Sequence, residues 1–364
     1  MPRKIKVLEF LPGLNYGGAQ AMIINLCRNI DYDQVQCDFI IDHSGLLEMK
    51  DLVESFGAQV FTAPQFKGTN LKEITAFWDR FFEEHDYDII HSHVRSYAFI
   101  VMRIAKRHGM KTIIHSHNTS NGKGFRSTVQ TIMQYPLRNT ADYFFGCSRE
   151  AGEWLFGKKV TKGDRFYVIN NGIDTDRFTY DVRIREQYRK EFGFKDEKVF
   201  IQVGRMSAQK NYLFTLDVFK KYLEYDGNAK LVIVGDGEQE QEIRDRIRQL
   251  KLEDNVIILQ RRDDVHALLQ MADVFLMPSL YEGLSVACIE AESSGIICLC
   301  SDRVDQNVNV TGQCRFIPLD TDLWIEEMKR TDEDRHAYWK EIADAGFDAK
   351  VNAEWMTEFY RSIV

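Results

Sequence analysis

Short β-rich runs that alternate with helical patterns, in two successive series, constrain this chain more than any other feature of its sequence. Ile5 to Phe10, Cys37 to Ile41, Gln59 to Thr62, Ile89 to His93, Thr112 to His115 and Tyr143 to Cys147 form the first series. Val199 to Gly204, Lys230 to Val234, Val256 to Gln260, Val274 to Met277, Ile297 to Cys300 and Phe316 to Pro318 form the second. Strand–helix alternation predicts parallel sheets covered on both faces, here in two doubly wound α/β domains. The turn signature Asn170-Asn-Gly172-Ile-Asp174, followed by the charged helical stretch Arg183 to Phe192, places the boundary between about 172 and 196. In such sheets ligands bind outside the carboxyl ends of the strands, so two sheets facing one another are expected to enclose a cleft. The last segment, Asp348 to Val364, carries Val351, Trp355, Phe359, Tyr360 and Ile363 at roughly helical spacing and needs a partner surface.

A chain of 364 residues suits two domains, and its 44% hydrophobic content includes no run near the ~20 residues of a membrane span. Met1-Pro-Arg-Lys-Ile lacks the apolar core of a signal peptide, so a cytoplasmic location is expected. The seven cysteines, at 27, 37, 147, 288, 298, 300 and 314, are odd in number, contain no CxxC and lie mostly in apolar segments, which predicts buried free thiols. Net charge is −8, divided as +2 over residues 1–180 and −10 over the remainder. Between 101 and 138, Arg103, Lys106, Arg107, Lys111, Lys123, Arg126 and Arg138 occur with no Asp or Glu. That basic face is either a site for anionic lipid or a phosphate-bearing acceptor, or an ordinary solvated surface. The negative net charge and the lack of any binding motif argue against nucleic acid.

Four constellations carry chemistry. The segment Pro278-Ser-Leu-Tyr-Glu282-Gly283-Leu-Ser285-Val286, running on to Glu290, places two carboxylates eight residues apart across a strand-to-helix turn. Ser285 is expected to cap the helix, leaving the amides of Val286, Ala287 and Cys288 directed at a phosphate, with Glu290 accepting from sugar or ribose hydroxyls. Gly204-Arg205-Met-Ser-Ala-Gln-Lys210 sets two cations on the loop after a strand, where they can neutralise a diphosphate in place of a metal ion. The paired Gly17 and Gly18 after the first strand let the backbone approach a ligand, without matching GxGxxG or a P-loop. Val232-Ile-Val-Gly235-Asp-Gly237 is a tight turn expected to be architectural, and Gln260-Arg261-Arg262 ends a strand on the same rim, where its amides can read a base edge. DxD triplets such as Asp174-Thr-Asp176 adjoin neither the cations nor Glu282, so no metal is expected. His91-Ser-His93 and His115-Ser-His117 are within reach of a zinc arrangement, but cleft-lining polar residues are the plainer reading, with His117 the one to contact substrate or carry a proton.

Taken together, Gly17-Gly18, Arg205 with Lys210, and Glu282 with Glu290 in E-x7-E spacing resemble glycosyltransferase family 4, the retaining enzymes of the GT-B fold, over nearly the whole chain. His115-Ser-His117-Asn118, Arg262-Asp-Asp264 and Tyr281-Glu-Gly-Leu284 resemble members that build capsular or exopolysaccharide repeat units. The resemblance implies an acceptor domain over 1–175 with the 346–364 helix packed back on it, and a donor domain over 176–345. It implies that Gly18 offers an amide to the donor diphosphate, that Arg205 and Lys210 pair with its oxygens, and that Glu290 takes the ribose. Glu282, Gly283, Leu284, Ser285 and Val286 would hold the donor sugar with Arg261 nearby, and His117 would sit at the anomeric carbon. Asn15, Tyr16, His93, Arg95 and Asn118 would face the acceptor. The expected reaction is metal-independent, retaining transfer of a hexose or N-acetylhexosamine from a nucleotide diphosphate sugar, with UDP favoured, to a lipid-linked glycan at the inner face of the membrane. The nucleotide sugar is a substrate, and no cofactor is implied. Gln260 and Ser285 depart from residues common in the family, which leaves the donor open. The alternatives are a nucleotide-sugar 2-epimerase and a catalytically silent nucleotide-sugar-binding subunit.

Overall fold

Strands buried on both faces dominate both halves of the chain, as the near-continuous apolar runs require. The computed structural model describes residues 3–15, 18–43, 47–117, 131–331 and 335–364. They fall into two units, Met1–Gly172 with Asp348–Val364, and Ile173–Phe347.

The first unit holds a seven-stranded parallel sheet: β1 (Ile5–Leu11), β2 (Val35–Asp42), β3 (Val60–Ala63), β4 (Ile89–Ser92), β5 (Lys111–Ser116), β6 (Tyr143–Gly146) and β7 (Phe166–Val168). Their order is β3-β2-β1-β4-β5-β6-β7, so the sequence of strands reverses between β1 and β4. The second unit holds six: β8 (Val199–Val203), β9 (Lys230–Val234), β10 (Val256–Leu259), β11 (Val274–Met277), β12 (Ile297–Ser301) and β13 (Cys314–Ile317). Their order is β10-β9-β8-β11-β12-β13, with the reversal between β8 and β11. Each reversal opens a crevice at the strand ends that is a general ligand position in open α/β sheets. β7 is absent from the sequence reading because three residues between charged loops carry too little apolar pattern to register.

The helix Ala349–Ile363 starts at Asp348, whose carboxylate accepts from the amides of Lys350 and Val351 at 2.8 and 2.9 Å. It belongs to the first unit, where Ala353, Met356, Phe359, Tyr360 and Ile363 join the core beneath β1 and β2. Val351 is exposed instead, so the buried stripe is rotated from the one expected. All seven cysteines are buried and free. Among the described residues no helix is long and apolar enough to cross a membrane.

Part of the basic run from 101 to 138 is paired. Lys106 pairs with Asp142 at 2.7 Å and Arg107 with Asp79 at 2.9 Å, while the Arg138 guanidinium lies over the Tyr135 ring at 4.8 Å. The two carboxylates come from other elements, so the linear charge pattern does not show them. Lys123 and Arg126 lie outside the described residues.

Candidate active site

In the second unit the loops leaving β8 and β11, neighbours across the strand reversal, are sewn together. Gln202, near the end of β8, donates to the Lys210 carbonyl at 2.8 Å and accepts from Thr215 at 2.6 Å. Asn211 takes left-handed backbone, φ 57°, which ends the short turn Ala208–Lys210 and lets its amide reach the Pro278 carbonyl at 3.1 Å. Gln209 donates to the Tyr281 carbonyl at 3.0 Å, and the Leu280 amide donates back to the Gln209 carbonyl at 2.8 Å. The result is a direct pair: Lys210 Nζ lies 2.5 Å from Glu282 Oε2, each side chain 16% exposed. Gln209, at 3.4 Å, also reaches that oxygen.

A second pair stands further out. Arg205 Nε meets Glu238 at 3.1 Å, and both are largely exposed. Its loop rests on the turn after β9, where Met206 donates to the Asp236 carbonyl at 2.6 Å and Gln239 donates to the Met206 carbonyl at 2.9 Å. That contact demands glycine. Gly235 and Gly237 have φ of 144° and 153°, and a Cβ on either would strike the backbone of Gly204 or Met206. The turn is thus the support on which the cation loop lies.

Glu282 is fixed from behind by its carbonyl, which accepts from Asp305 at 3.1 Å. Ser285 occupies the N-cap of the helix Val286–Ser293, but its buried side chain makes no capping bond. Its carbonyl instead accepts from Cys288 at 3.1 Å, so the expected trio of available amides shrinks to Val286 and Ala287. The helix start is tightened by backbone alone. Glu290 is half-buried in that helix, and burial pushes its carboxyl up to about 7 while the charge of Arg177 pulls it down. Arg177 was not singled out in the sequence; it donates to the Asp263 carbonyl at 3.1 Å. Arg261, exposed, lies 3.9 Å from Asp236, and Gln260 donates to Glu240 at 3.0 Å. Gly283 is exposed, and nothing lies within 4 Å of where its Cβ would be, so packing does not require glycine there.

The first unit has a cavity of about 450 Å³ at the ends of β1 and β4, lined by Gly18, His93, Arg95 and His117 together with Asp42 and Gln134, which the sequence reading had not flagged. Gly18 opens the helix Gly18–Asn29, and a Cβ there meets nothing within 4 Å. Arg95 lies over the Trp154 ring at 5.2 Å, and burial lowers its pKa. Asn15, half-buried, accepts from Gln20 at 3.3 Å and is not among the residues lining the cavity. Tyr16, Gly17 and Asn118 lie outside the described residues.

Behind the cavity the four histidines converge. Ring centroids of His93 and His117 are 4.9 Å apart and those of His115 and His117 4.2 Å. His93 Nδ1 lies 2.7 Å from His117 Nε2, and His93 Nε2 lies 2.8 Å from Glu9 Oε2. Burial pushes His93 down to about 4 and His115 and His117 well below the usual histidine range. They are neutral at pH 7. Glu9, 1% exposed, escaped the sequence reading, although an acid inside the run Val7-Leu-Glu9-Phe-Leu11 is the signal that could have found it.

Two family models match the chain, "Glycosyltransferase Family 4" over residues 16–177 and "Glycosyl transferases group 1" over 184–313. The chain belongs to glycosyltransferase family 4. EpsF, a Bacillus subtilis protein named as a glycosyltransferase, is 29% identical over 98% of this chain and 96% of its own. An Escherichia coli enzyme is 26% identical over 91% of this chain and 88% of its own; its name gives UDP-Gal:α-D-GlcNAc-diphosphoundecaprenol α-1,3-galactosyltransferase activity. The crystal structure of HepE from Anabaena in complex with UDP superposes with a TM-score of 0.79 over 99% of this chain and all of that one, at 17% identity. That likeness identifies the two parallel-sheet units as those of a GT-B fold. In family terms, the Lys210–Glu282 pair stands in the second unit and the Gly18–His117 cavity in the first.

Proposed function

We propose that this glycosyltransferase binds a UDP-sugar through its second unit and transfers the hexose or N-acetylhexosamine, with retention, to a polyprenol-diphosphate-linked glycan in cell-surface polysaccharide synthesis. The observation that carries the reading is the Lys210–Glu282 pair, held by two loops at the strand reversal with Arg205 on the same loop as Lys210. A diphosphate entering there exchanges one carboxylate for phosphate oxygens at Lys210, and Glu282 is released to accept from sugar hydroxyls. Arg205, in an exposed pair worth at most about 1 kcal/mol, swings to the same phosphates at little cost. As the sugar–phosphate bond breaks, charge grows on the leaving diphosphate, and Lys210, Arg205 and the first-turn amides of Val286 and Ala287 stabilise it without a metal. Glu290 takes the ribose. In the first unit Gly18 offers its amide to the diphosphate, His117 sits by the reacting sugar, and His93 and Arg95 face the acceptor.

The relatives' names support the choice of donor and acceptor class: one transfers from UDP-Gal to a diphosphoundecaprenol-linked sugar, and HepE was crystallised with UDP. The first test is a thermal-shift screen against UDP, GDP, ADP and their sugar conjugates, with and without EDTA. A stabilisation by UDP-sugars that survives EDTA is expected. No shift with any nucleotide defeats the donor assignment, and turnover of the donor without acceptor favours an epimerase.

A further inference from the structure

One hydrogen-bonded chain runs through the core of the first unit from the C-terminal helix to the cavity. Tyr360 Oη lies 2.8 Å from His91 Nδ1 and donates to Glu9 Oε1 at 3.1 Å. Glu9 Oε2 is 2.8 Å from His93 Nε2, and His93 Nδ1 is 2.7 Å from His117 Nε2. Only His117 and His93 of these groups reach the cavity wall. The proton positions follow from the one group that can only accept. Burial pushes the Glu9 carboxyl up, but His91 and His93 beside it hold it below the usual carboxylate range, so it is an ion. His93 must then donate from Nε2. Being neutral, it has a lone pair at Nδ1, and His117 must donate from Nε2 to fill it. His117 is left with its proton on Nε2 and a lone pair on Nδ1. On the other branch Tyr360 donates to Glu9, so His91 donates from Nδ1 to the Tyr360 oxygen.

We propose that Glu9 is a positioning residue that fixes, through His93, which ring nitrogen of His117 carries the proton, with Tyr360 of the C-terminal helix holding the carboxylate from its other side. Carboxylate control of an imidazole tautomer is the same physics that orients the histidine of serine hydrolases. The consequence for transfer rests on the reading of His117 given under Proposed function; the relay itself does not.

Glu9→Gln breaks the pattern without changing size. An amide accepts at one end and donates at the other, so one branch has to invert. Inverting the Tyr360–His91 branch would place a proton on His91 Nε2, which is buried with no partner among the described residues. Inverting the other moves the proton to His117 Nδ1, which is buried as well but belongs to a ring at the cavity wall, where a bound ligand can accept from it. That position makes the second the expected outcome. Protein labelled with ¹⁵N-histidine, with His93 and His117 assigned by their Gln variants, reports which nitrogen is protonated. The wild type should show Nε2–H on both rings, and a proton on Nδ1 of either overturns the proposal before any Glu9 variant is made. E9Q should show Nδ1–H on both, with kcat down about 100-fold and donor KM within threefold. Tyr360→Phe should keep both tautomers and lose at most about threefold in kcat. Unchanged tautomers in folded E9Q overturn the relay. Inverted tautomers with unchanged kcat uphold it and defeat the catalytic role of His117.

Discussion

The two units handle their polar groups in opposite ways. In the second, charged side chains stand at the strand ends in pairs that solvent reaches: Lys210 with Glu282, and Arg205 with Glu238. In the first, imidazoles are packed behind a cavity around one ionised carboxylate, with His91 and His115 fully buried. An exposed pair such as Arg205–Glu238 is cheap to exchange, and Lys210–Glu282 is still in reach of solvent, so the second unit suits a ligand that arrives with its own charge. A buried network is costly to rearrange, so the first unit suits a task in which proton positions must not drift. Solvent exposure, more than residue type, divides ligand capture from proton placement here.

The strongest way to break that comparison is Lys210→Ala. If the pair exists to be exchanged for phosphate, donor turnover should fall at least ~100-fold, since one charged contact made to the leaving group is worth about 3 kcal/mol. Steady-state kinetics with the best donor from the thermal screen decides it. Activity within threefold of wild type would make the pair a loop clasp and nothing more.

Next in size is a contrast between glycines. Gly235→Ala forces a Cβ onto the Gly204 carbonyl at φ 144° and should cost about 3 kcal/mol of stability in urea unfolding. Gly18→Ala meets open space and should leave stability within about 0.5 kcal/mol while weakening donor use. Equal losses of stability would mean that Gly18 too is architectural.

Glu290 sharpens the comparison from inside the second unit, because it is half-buried and its carboxylate makes no ion pair among the described residues. Its carboxyl is raised to about 7 from an ordinary 4.5. Between those values the folded state holds a proton that the unfolded state has released. Stability therefore falls as pH rises from about 4.5 to 7, and the penalty is complete above 7. Glu290→Gln should remove it, gaining on the order of 2 kcal/mol over wild type at pH 8 relative to pH 5, by denaturation at both pH values. A pH-independent difference would mean that Arg177 compensates the charge fully.

The sheets were legible in the sequence because buried parallel strands are apolar throughout, and runs such as Val274-Phe-Leu-Met277 have no other use. The E-x7-E spacing and the two cations were equally legible, being local. What stayed hidden was pairing across distance. Lys210 and Glu282 are 72 residues apart, and their roles as partners before any ligand arrives depend on Gln209 and Asn211, polar residues with no motif of their own. Capping propensity does not say where a buried hydroxyl turns, and Ser285 closes the first turn through its carbonyl and not its side chain. Strand periodicity treats an inward acid such as Glu9 as noise, whereas its partners are His93, just past the end of β4, and Tyr360 at the far end of the chain.

The smallest expected effect concerns the basic run of the first unit. We expect Lys106→Glu and Arg107→Glu to change co-sedimentation with anionic vesicles by less than about threefold at physiological salt, because Asp142 and Asp79 already cancel both charges and exposed charges more than about 8 Å apart are screened. Arg103, whose guanidinium lies 5.8 Å from the Phe99 ring centroid, should matter most within the helix Ala98–Arg107. A tenfold loss from the double reversal would show that the ion pairs open at a membrane, and the first unit would then possess the exchangeable surface charge that otherwise belongs to the second.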